Sequence, residues 1–388
     1  MAEIRENALI PAGSFEKIIS ALVQKHGGYV NGHAHLDRAC TLDSHYLEHY
    51  GLTSLQATSA SLRVKQSLTG ELHKGEAYSA QDLARRISSV LDEASSSMGM
   101  REIISFIDAT PDIGLRAMDT AANLREKYRS TISLKIAAHP IFGFKPEPDG
   151  RELRWELFQK ACVIADIIGG LPERDDRTDS IGFDEHIIRI LNLGKELHKP
   201  VHVHVDQDND PRQRHTLDLI EAVRWIGSPE IPEVHGPTVW AVHVISPSAY
   251  PEDKFRQVLE GLKSQNIGVI VCPRAGISMR QNRALYAPTH NSIARVLEMA
   301  YFDIPVLLGT DNIADMFVPT SAGSMLWEIS RMADDLRFYI PEVLAKLAAG
   351  IALNQTDKER IRAHLLEDLK IFRATDPSFE FCLPLEAS

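Results

Sequence analysis

Eight short apolar runs, each separated from the next by a helix-like segment or a long loop, constrain the fold most. The runs are Tyr29–Asp37, Glu102–Asp108, Ser133–His139, Ala165–Gly170, Lys199–Asp206, Thr238–His243, Ile267–Cys272 and Ile304–Asp311. Strands that alternate with helices are typical of a parallel sheet covered by helices on its faces. The count of eight favours closure, so the sequence predicts an α/β fold, a (β/α)8 TIM barrel.

The 388 residues can be accommodated by one such barrel with short extensions. We predict a lead-in helix within residues 1–27, because Phe15, Ile18, Ile19 and Leu22 fall at helical spacing before a glycine pair. The barrel is expected over residues 28–330. A helical extension that packs on the barrel is expected over 331–388.

The fifth run carries polar side chains on one face. His202, His204 and Asp206 share that face because successive strand residues alternate, and valines occupy the other face. An exposed polar face on an edge strand is the alternative. The first run repeats the pattern with His33 and His35, and an imidazole pair two residues apart can hold a metal ion from one side.

Strand ends meet at one mouth of a barrel, where barrel enzymes place their sites. His33, His35, one histidine of the fifth run and Asp311 together offer three nitrogen ligands and one oxygen ligand. Such a set suits one divalent ion, Zn²⁺ or Fe²⁺, with an open position for water. Asp311 is then expected to move a proton, and His243 to hold the attacking water or the developing oxygen charge.

Composition narrows the partners. A net charge of −11 argues against nucleic acid or an anionic membrane surface as partner, and no Gly-rich phosphate loop is found. Four well-separated cysteines suggest no disulfide framework, and no apolar stretch approaches the roughly 20 residues of a membrane span. We therefore expect a cytoplasmic protein that acts on a small molecule, and a homo-oligomer is compatible with this composition.

Six segments resemble the cytosine deaminase branch of the amidohydrolase superfamily, and the chain is also similar to N-isopropylammelide hydrolases. They occur in order within residues 28–330: His33–Asp37, Leu134–Pro140, Ala165–Pro172, His202–Gln207, Ala241–His243 and Gly309–Asp315. The resemblance implies that His33, His35, His204 and Asp311 bind one metal ion and that His243 assists the water. His202 is then a deeper neighbour, and a complete β-sandwich domain is not expected.

Two positions depart from that family. Gln207 stands where the family has a glutamate that moves a proton, and an amide cannot do so. Ile141 stands where the family has a glutamine that grips cytosine. Both changes count against cytosine as substrate, and Gln207 is expected to act in the site by hydrogen-bonding the substrate's amide or ring edge.

The resulting hypothesis is a metal-dependent hydrolase of a C–N bond, acting by amide hydrolysis or deamination on a small, nitrogen-heterocyclic substrate. Phe142, Arg274 and Phe317 are further candidate substrate contacts, although surface arginines are common at loop starts. The alternative is a catalytically impaired protein that binds or senses a small molecule. Lys135 could bridge two metal ions as a carboxylated lysine, but a snorkelling lysine and a single ion are favoured.

Overall fold

The computed structural model describes residues 14–208, 210–279 and 293–385. Eight parallel strands form one sheet in sequence order. They are β1 (Tyr29–Ala34), β2 (Met100–Asp108), β3 (Ser133–His139), β4 (Ile167–Gly170), β5 (Val201–Val205), β6 (Val239–His243), β7 (Ile267–Val271) and β8 (Val306–Leu308).

The sheet closes on itself where β1 meets the segment that follows β8. The Asp311 amide donates to the His33 carbonyl at 2.9 Å, and the His35 amide donates to the Asp311 carbonyl at 3.3 Å. Ala34 and Asp311 form a parallel bridge at the same place. The predicted (β/α)8 barrel is therefore confirmed, although β8 is shorter than the predicted run and Asp311 lies beyond its end.

Helices cover the outside of the barrel and connect its strands. They are α1 (Phe15–Lys25), α2 (Ser54–Ala57), α3 (Leu62–Lys74), α4 (Ala80–Ser96), α5 (Arg116–Tyr128), α6 (Leu153–Ile164), α7 (Phe183–Leu197), α8 (His215–Ile226), α9 (Glu252–Ser264), α10 (Pro273–Ile277), α11 (Val296–Tyr301), α12 (Met325–Leu336), α13 (Pro341–Ala348) and α14 (Gln355–Thr375). Short 3-10 turns lie at Ser44–Tyr50, Glu76–Tyr78, Pro172–Arg174 and Ser246–Ala249. The long connection from β1 to α4 thus contains α2 and α3.

The two faces of each strand have different roles. In β5, Val201, Val203 and Val205 belong to the large apolar core that includes residues of the surrounding helices. A separate small cluster of Ile104, Phe106, Ala137 and Ile167 comes from β2, β3 and β4. The Phe106 ring lies 4.7 Å from the His33 ring and 4.8 Å from the His204 ring, centroid to centroid. This apolar cluster therefore supports the histidines at the mouth of the barrel.

The terminal helices pack together on the barrel. Helix α1 begins after Ser14, whose hydroxyl accepts from the Lys17 amide, and its buried face includes Ile19 and Val23. It contacts α13, which in turn contacts β1 and β8. Residues 1–13 and 386–388 of the predicted lead-in and extension lie outside the described residues.

All strands within the described ranges belong to the barrel. No helix in those ranges combines the length and the apolar character needed to cross a bilayer.

Candidate active site

His33 and His204 face each other inside the barrel mouth. Their Nε2 atoms lie 3.2 Å apart, and both side chains are buried. The Nδ1 atom of His204 lies 3.0 Å from the Gly170 carbonyl oxygen. Because that oxygen can only accept, Nδ1 carries the proton and the lone pair of His204 Nε2 is directed towards His33.

Asp311 completes this arrangement from the other side of the barrel closure. Its Oδ1 atom lies 3.3 Å from His35 Nε2 and 3.7 Å from His33 Nε2. The Asn312 side-chain amide donates to the same oxygen at 3.1 Å. Asp311 Oδ2 makes no hydrogen bond to a residue that the structure describes. Asp311 also lines a cavity that opens at the mouth of the barrel and is described below.

The donor set fits one divalent ion. Two overlapping groups, His33 with His204 and His243, and His33 with His35 and Asp311, have ligand atoms within 4.8 Å of one another. Ligands about 2.1 Å from a tetrahedral ion are themselves about 3.4 Å apart. His33 Nε2 lies 3.2 Å from His204 Nε2 and 3.7 Å from Asp311 Oδ1, which lies 3.3 Å from His35 Nε2, so these three separations match that spacing and His33 joins the two groups.

The protonation states also suit a metal site. Burial, with the charge of Arg38, lowers the pKa of His35 well below its usual value. Burial and the surrounding histidines do the same to the pKa of His204. Burial opposes ionisation of Asp311, but hydrogen bonds from His33 and His35 outweigh it and hold its pKa well below the usual value. Neutral imidazoles and an ionised carboxylate are the forms that bind a metal.

Two further histidines differ in depth. The His243 ring lies 5.3 Å from the His204 ring, and His243 lines the cavity. Burial lowers the pKa of His243 to about 4. The His202 ring lies 6.1 Å from the Trp240 ring and 6.5 Å from the Phe106 ring, and burial lowers its pKa to about 3. His202 therefore lies beneath the site, on the β5 face it shares with His204.

A cavity of about 550 Å³ lies above these residues. Its wall includes residues 58–62, Lys65 and Gln66, which belong to α3 and the segment before it. Ile141, Gln207 and Phe317, named from the sequence, also line it. The long connection after β1 therefore forms one side of the cavity.

Three residues named from the sequence lie elsewhere. Phe142 does not line the cavity and its ring lies 5.4 Å from the ring of His73, on α3. Arg274 pairs with Glu328 of α12 at 3.4 Å, and the same carboxylate accepts from the Arg274 amide at 2.9 Å. We therefore do not carry Phe142 and Arg274 into the proposed site.

Asp206 is the third of these residues, and its predicted orientation is corrected. Its backbone has a φ of 51°, so the strand alternation stops before it. Its carboxylate accepts from the amides of His215 and Thr216 at 3.0 and 2.9 Å, at the start of α8. Asp206 thus caps a helix and does not face the mouth with His204.

Lys135 is exposed and its ammonium lies 3.3 Å from Glu102. It shares the strand face of Ala137 and His139 but lies at the start of β3, at the end of the barrel opposite the mouth, where it cannot bridge ions in the mouth.

The sequence interpretation missed two charged residues near the cavity. Glu173, after β4, accepts from the Gln207 side-chain amide at 3.0 Å, and burial with the charge of Asp208 raises its pKa to about 7. Arg38, just after the His33–Asp37 segment, is buried and lines the cavity. Arg38 directly follows the His33–Asp37 segment, and this position is the sequence signal that could have identified it.

No family model matches the chain. An uncharacterized protein of Haemophilus influenzae is 30% identical over 286 residues, which cover 74% of this chain and 95% of that protein.

Solved structures share the fold. A 5-methylcytosine deaminase from Klebsiella pneumoniae, liganded with 5-fluorocytosine, aligns with a TM-score of 0.67 at 22% identity, over 87% of this chain and 82% of that one. N-isopropylammelide isopropylaminohydrolase from Burkholderia multivorans aligns with a TM-score of 0.59 at 17% identity, over 87% and 74%. The chain shares its fold with these two enzymes, and it belongs to the family of the Haemophilus influenzae protein.

Proposed function

We propose that this protein is a metal-dependent hydrolase that cleaves a C–N bond in a small nitrogen-heterocyclic substrate, by deamination or amide hydrolysis. The observation that carries the proposal is that His33 Nε2 lies within 3.7 Å of both His204 Nε2 and Asp311 Oδ1, with His35 Nε2 3.3 Å from the same Asp311 oxygen. We assign these four side chains as ligands of a single ion, Zn²⁺ or Fe²⁺. Such an ion supplies Lewis-acid activation of water for hydrolysis.

Asp311 is the proposed proton shuttle. Its Oδ1 atom is engaged by Asn312 and lies beside His35, so Oδ2 is the oxygen left to accept a proton from water. The same oxygen can then deliver the proton to the leaving nitrogen. Because His243 lines the cavity next to His204, its imidazole is assigned to hold the attacking water or the oxygen on which charge develops.

Gln207 is assigned to the substrate. Its amide nitrogen donates to Glu173, so its oxygen remains as an acceptor for an N–H group of a ligand. The cavity volume of about 550 Å³ lies within the usual range for small-molecule sites. The Klebsiella protein is named for a pyrimidine base, and its ligand 5-fluorocytosine is a ring of the size proposed here.

A second candidate is a small-molecule binding or sensing protein without turnover. The amide of Gln207, in the place where related deaminases have a carboxylate, favours it. Four intact ligand positions and the free Asp311 Oδ2 favour hydrolysis.

The test is a screen for released ammonia or amine, together with ring opening. The full chain is loaded separately with Zn²⁺ or Fe²⁺ and offered lactams, amidines and amino-substituted nitrogen heterocycles. We expect turnover of at least one class by the loaded protein and at least a hundredfold less by Asp311→Asn. Metal and ligand binding without turnover on any of these compounds would establish the sensing alternative.

A further inference from the structure

Asp108, at the end of β2, is a buried carboxylate that organises side chains beside the cavity. It accepts from four groups: Arg38 Nη1 at 3.3 Å, His139 Nδ1 at 2.7 Å, His73 Nε2 at 3.2 Å and the Tyr78 hydroxyl at 2.9 Å. Burial opposes its ionisation, but the charge of Arg38 and the hydrogen bonds from His139 and His73 hold its pKa well below the usual value. Asp108 is therefore an anion that fixes its neighbours.

Arg38 is held on three sides and has one nitrogen left. Its Nε donates to Asn312 Oδ1 at 2.9 Å, its Nη1 is bound by Asp108, and its guanidinium carbon lies 5.0 Å from the Phe317 ring centroid. Within the described residues, Nη2 makes no hydrogen bond. Because Arg38 lines the cavity, Nη2 is a fixed donor for a ligand.

His139 offers the opposite character. Its Nδ1 faces the Asp108 carboxylate, while its buried Nε2 has no hydrogen-bond partner among the described residues. Because a carboxylate can only accept, Nδ1 carries the ring proton, and Nε2 is left with the lone pair. His139 lines the cavity and belongs to neither group of candidate metal ligands. Its Nε2 is thus an acceptor for a ligand.

Charge balance favours a neutral ligand group at this place. The positive charge of Arg38 is already compensated by Asp108. The pair therefore distinguishes ligands by the arrangement of their hydrogen-bond donors and acceptors more than by their net charge. A donor and an acceptor anchored on the same carboxylate match a carbonyl next to an N–H group. That pattern is the edge of a lactam, a cyclic urea or an imide.

We propose that Arg38 and His139 are specificity-determining residues that bind a cis-amide edge of a neutral ring, with Arg38 Nη2 donating to its carbonyl and His139 Nε2 accepting from its N–H. This inference rests on the proposed function, because it takes the cavity above the metal ligands as the substrate site. It narrows the substrate to rings in which the edge away from the reacting carbon is a lactam, cyclic urea or imide.

The test compares two ring ligands on the zinc-loaded full chain by titration calorimetry. The first is 2-pyridone, which presents the whole edge, and the second is N-methyl-2-pyridone, which lacks the N–H. We expect methylation to weaken binding by about tenfold or more, the effect of leaving a buried acceptor unpaired. His139→Asn keeps a donor for Asp108, and its own oxygen is too short of the Nε2 position to accept from the ligand, so it should reduce this ratio to within about twofold.

Two variants test whether a change at His139 acts only by disturbing the hydrogen bonds around Asp108. His73→Asn alters a second histidine on the same carboxylate that does not line the cavity, and it should leave the methylation ratio at the wild-type value. Arg38→Lys removes the fork, so it should weaken both ligands while preserving the ratio, because both keep the carbonyl. His139→Phe has no acceptor at all and keeps the volume of a ring, so it serves as the second variant if His139→Asn folds poorly.

Three results would overturn the inference: no binding of 2-pyridone to wild type, an unchanged methylation ratio in both His139 variants, or loss of zinc from them, which would make His139 a metal ligand. Turnover separates this inference from the proposed function. A methylation ratio that depends on His139, without hydrolysis of any compound, would refute only the proposed function. Hydrolysis with a ratio that ignores His139 would refute only the edge recognition.

Discussion

The side-chain amide of Gln207 donates a hydrogen bond to the carboxylate of Glu173 across 3.0 Å. Only the amide nitrogen can donate to a carboxylate, so the contact fixes which end of Gln207 is available to a ligand in the cavity it lines. A glutamate at position 207 would put two acceptors against each other.

Gln207→Glu should therefore make stability depend more steeply on pH. The Glu173 pKa is already raised to about 7 by burial and Asp208, and a second carboxylate raises the folded-state pKa values further. A carboxyl group whose pKa is raised in the folded state destabilises that state progressively as pH rises towards and past the raised value. The free energy of unfolding of Gln207→Glu should therefore fall further below that of wild type as pH rises from about 5 to 8, by up to about 1–3 kcal/mol. Urea unfolding at pH 5 and pH 8 measures it.

The matched control is the exchange Glu173→Gln with Gln207→Glu, which restores one donor and one acceptor. It should recover most of the loss at pH 8. Equal stability of Gln207→Glu and wild type at both pH values would contradict the contact. Strong activity of Gln207→Glu on cytosine-like rings would contradict the substrate-binding role of Gln207.

One divalent ion per chain is expected after zinc loading. His204→Ala should lower zinc affinity by at least a hundredfold, because it removes one of three imidazole ligands. At a zinc concentration about 100 times Kd, wild type should gain about 2.7 kcal/mol of stability that the variant does not gain. Metal content after gel filtration and thermal unfolding measure both effects.

His202→Gln is the control for that experiment, since His202 lies beneath the site on the same strand face. It should keep one zinc ion per chain. Two ions per chain, or loss of zinc from His202→Gln with retention in His204→Ala, would overturn the ligand assignment.

The raised pKa of His73 predicts a second dependence of stability on pH, in a higher pH range. Burial opposes its protonation, but hydrogen bonds to Asp108 and Asp112 outweigh burial and raise its pKa from 6.5 to about 9. A raised histidine pKa contributes stability that is fully present below pH 6.5 and is lost as pH rises through about 9. Between those values, wild type should lose on the order of 2–3 kcal/mol that His73→Gln does not lose. Denaturant unfolding across pH 6 to 10 decides it, and parallel profiles would refute the assignment.

Gly309→Ala should weaken the closure of the barrel. A Cβ atom there would lie 2.7 Å from the His33 carbonyl oxygen and 2.8 Å from the His33 Cβ. The strands must separate to admit it, which should cost about 1–3 kcal/mol and lower zinc affinity by moving His33 away from Asp311. Gly236→Ala is the control, because its Cβ would meet nothing within 4 Å. Equal stability and zinc affinity for the two variants would show that the closure tolerates the change.

Regular periodicity made much of this molecule predictable. The alternation of apolar runs with helices predicted the eight strands, and parallel strands bring their carboxyl ends to one mouth. His33, His35 and His204 could therefore be placed together from the sequence, since each lies within a strand or one residue past its end. Asp311 follows β8 by only three residues.

The sequence did not predict the side-chain contacts of residues that lie beyond the ends of the strands. Asp206 directly follows β5, but its positive φ ends the alternation and turns the carboxylate to the amides of α8. Arg274 is the second residue of a short helix, α10, and its side chain pairs with Glu328. The Glu173 contact with Gln207 joins two loops far apart in sequence, and no local pattern encodes such a pairing.

The backbone closure between His33 and Asp311 has a consequence for synthesis of the chain. His33 leaves the ribosome early, whereas Asp311 is added only after all eight strands. A nascent chain can present three imidazoles well before the carboxylate and the sealing backbone contacts exist. An ion bound by the proposed ligand set would therefore be acquired only after translation has passed the last strand, as a late step in maturation.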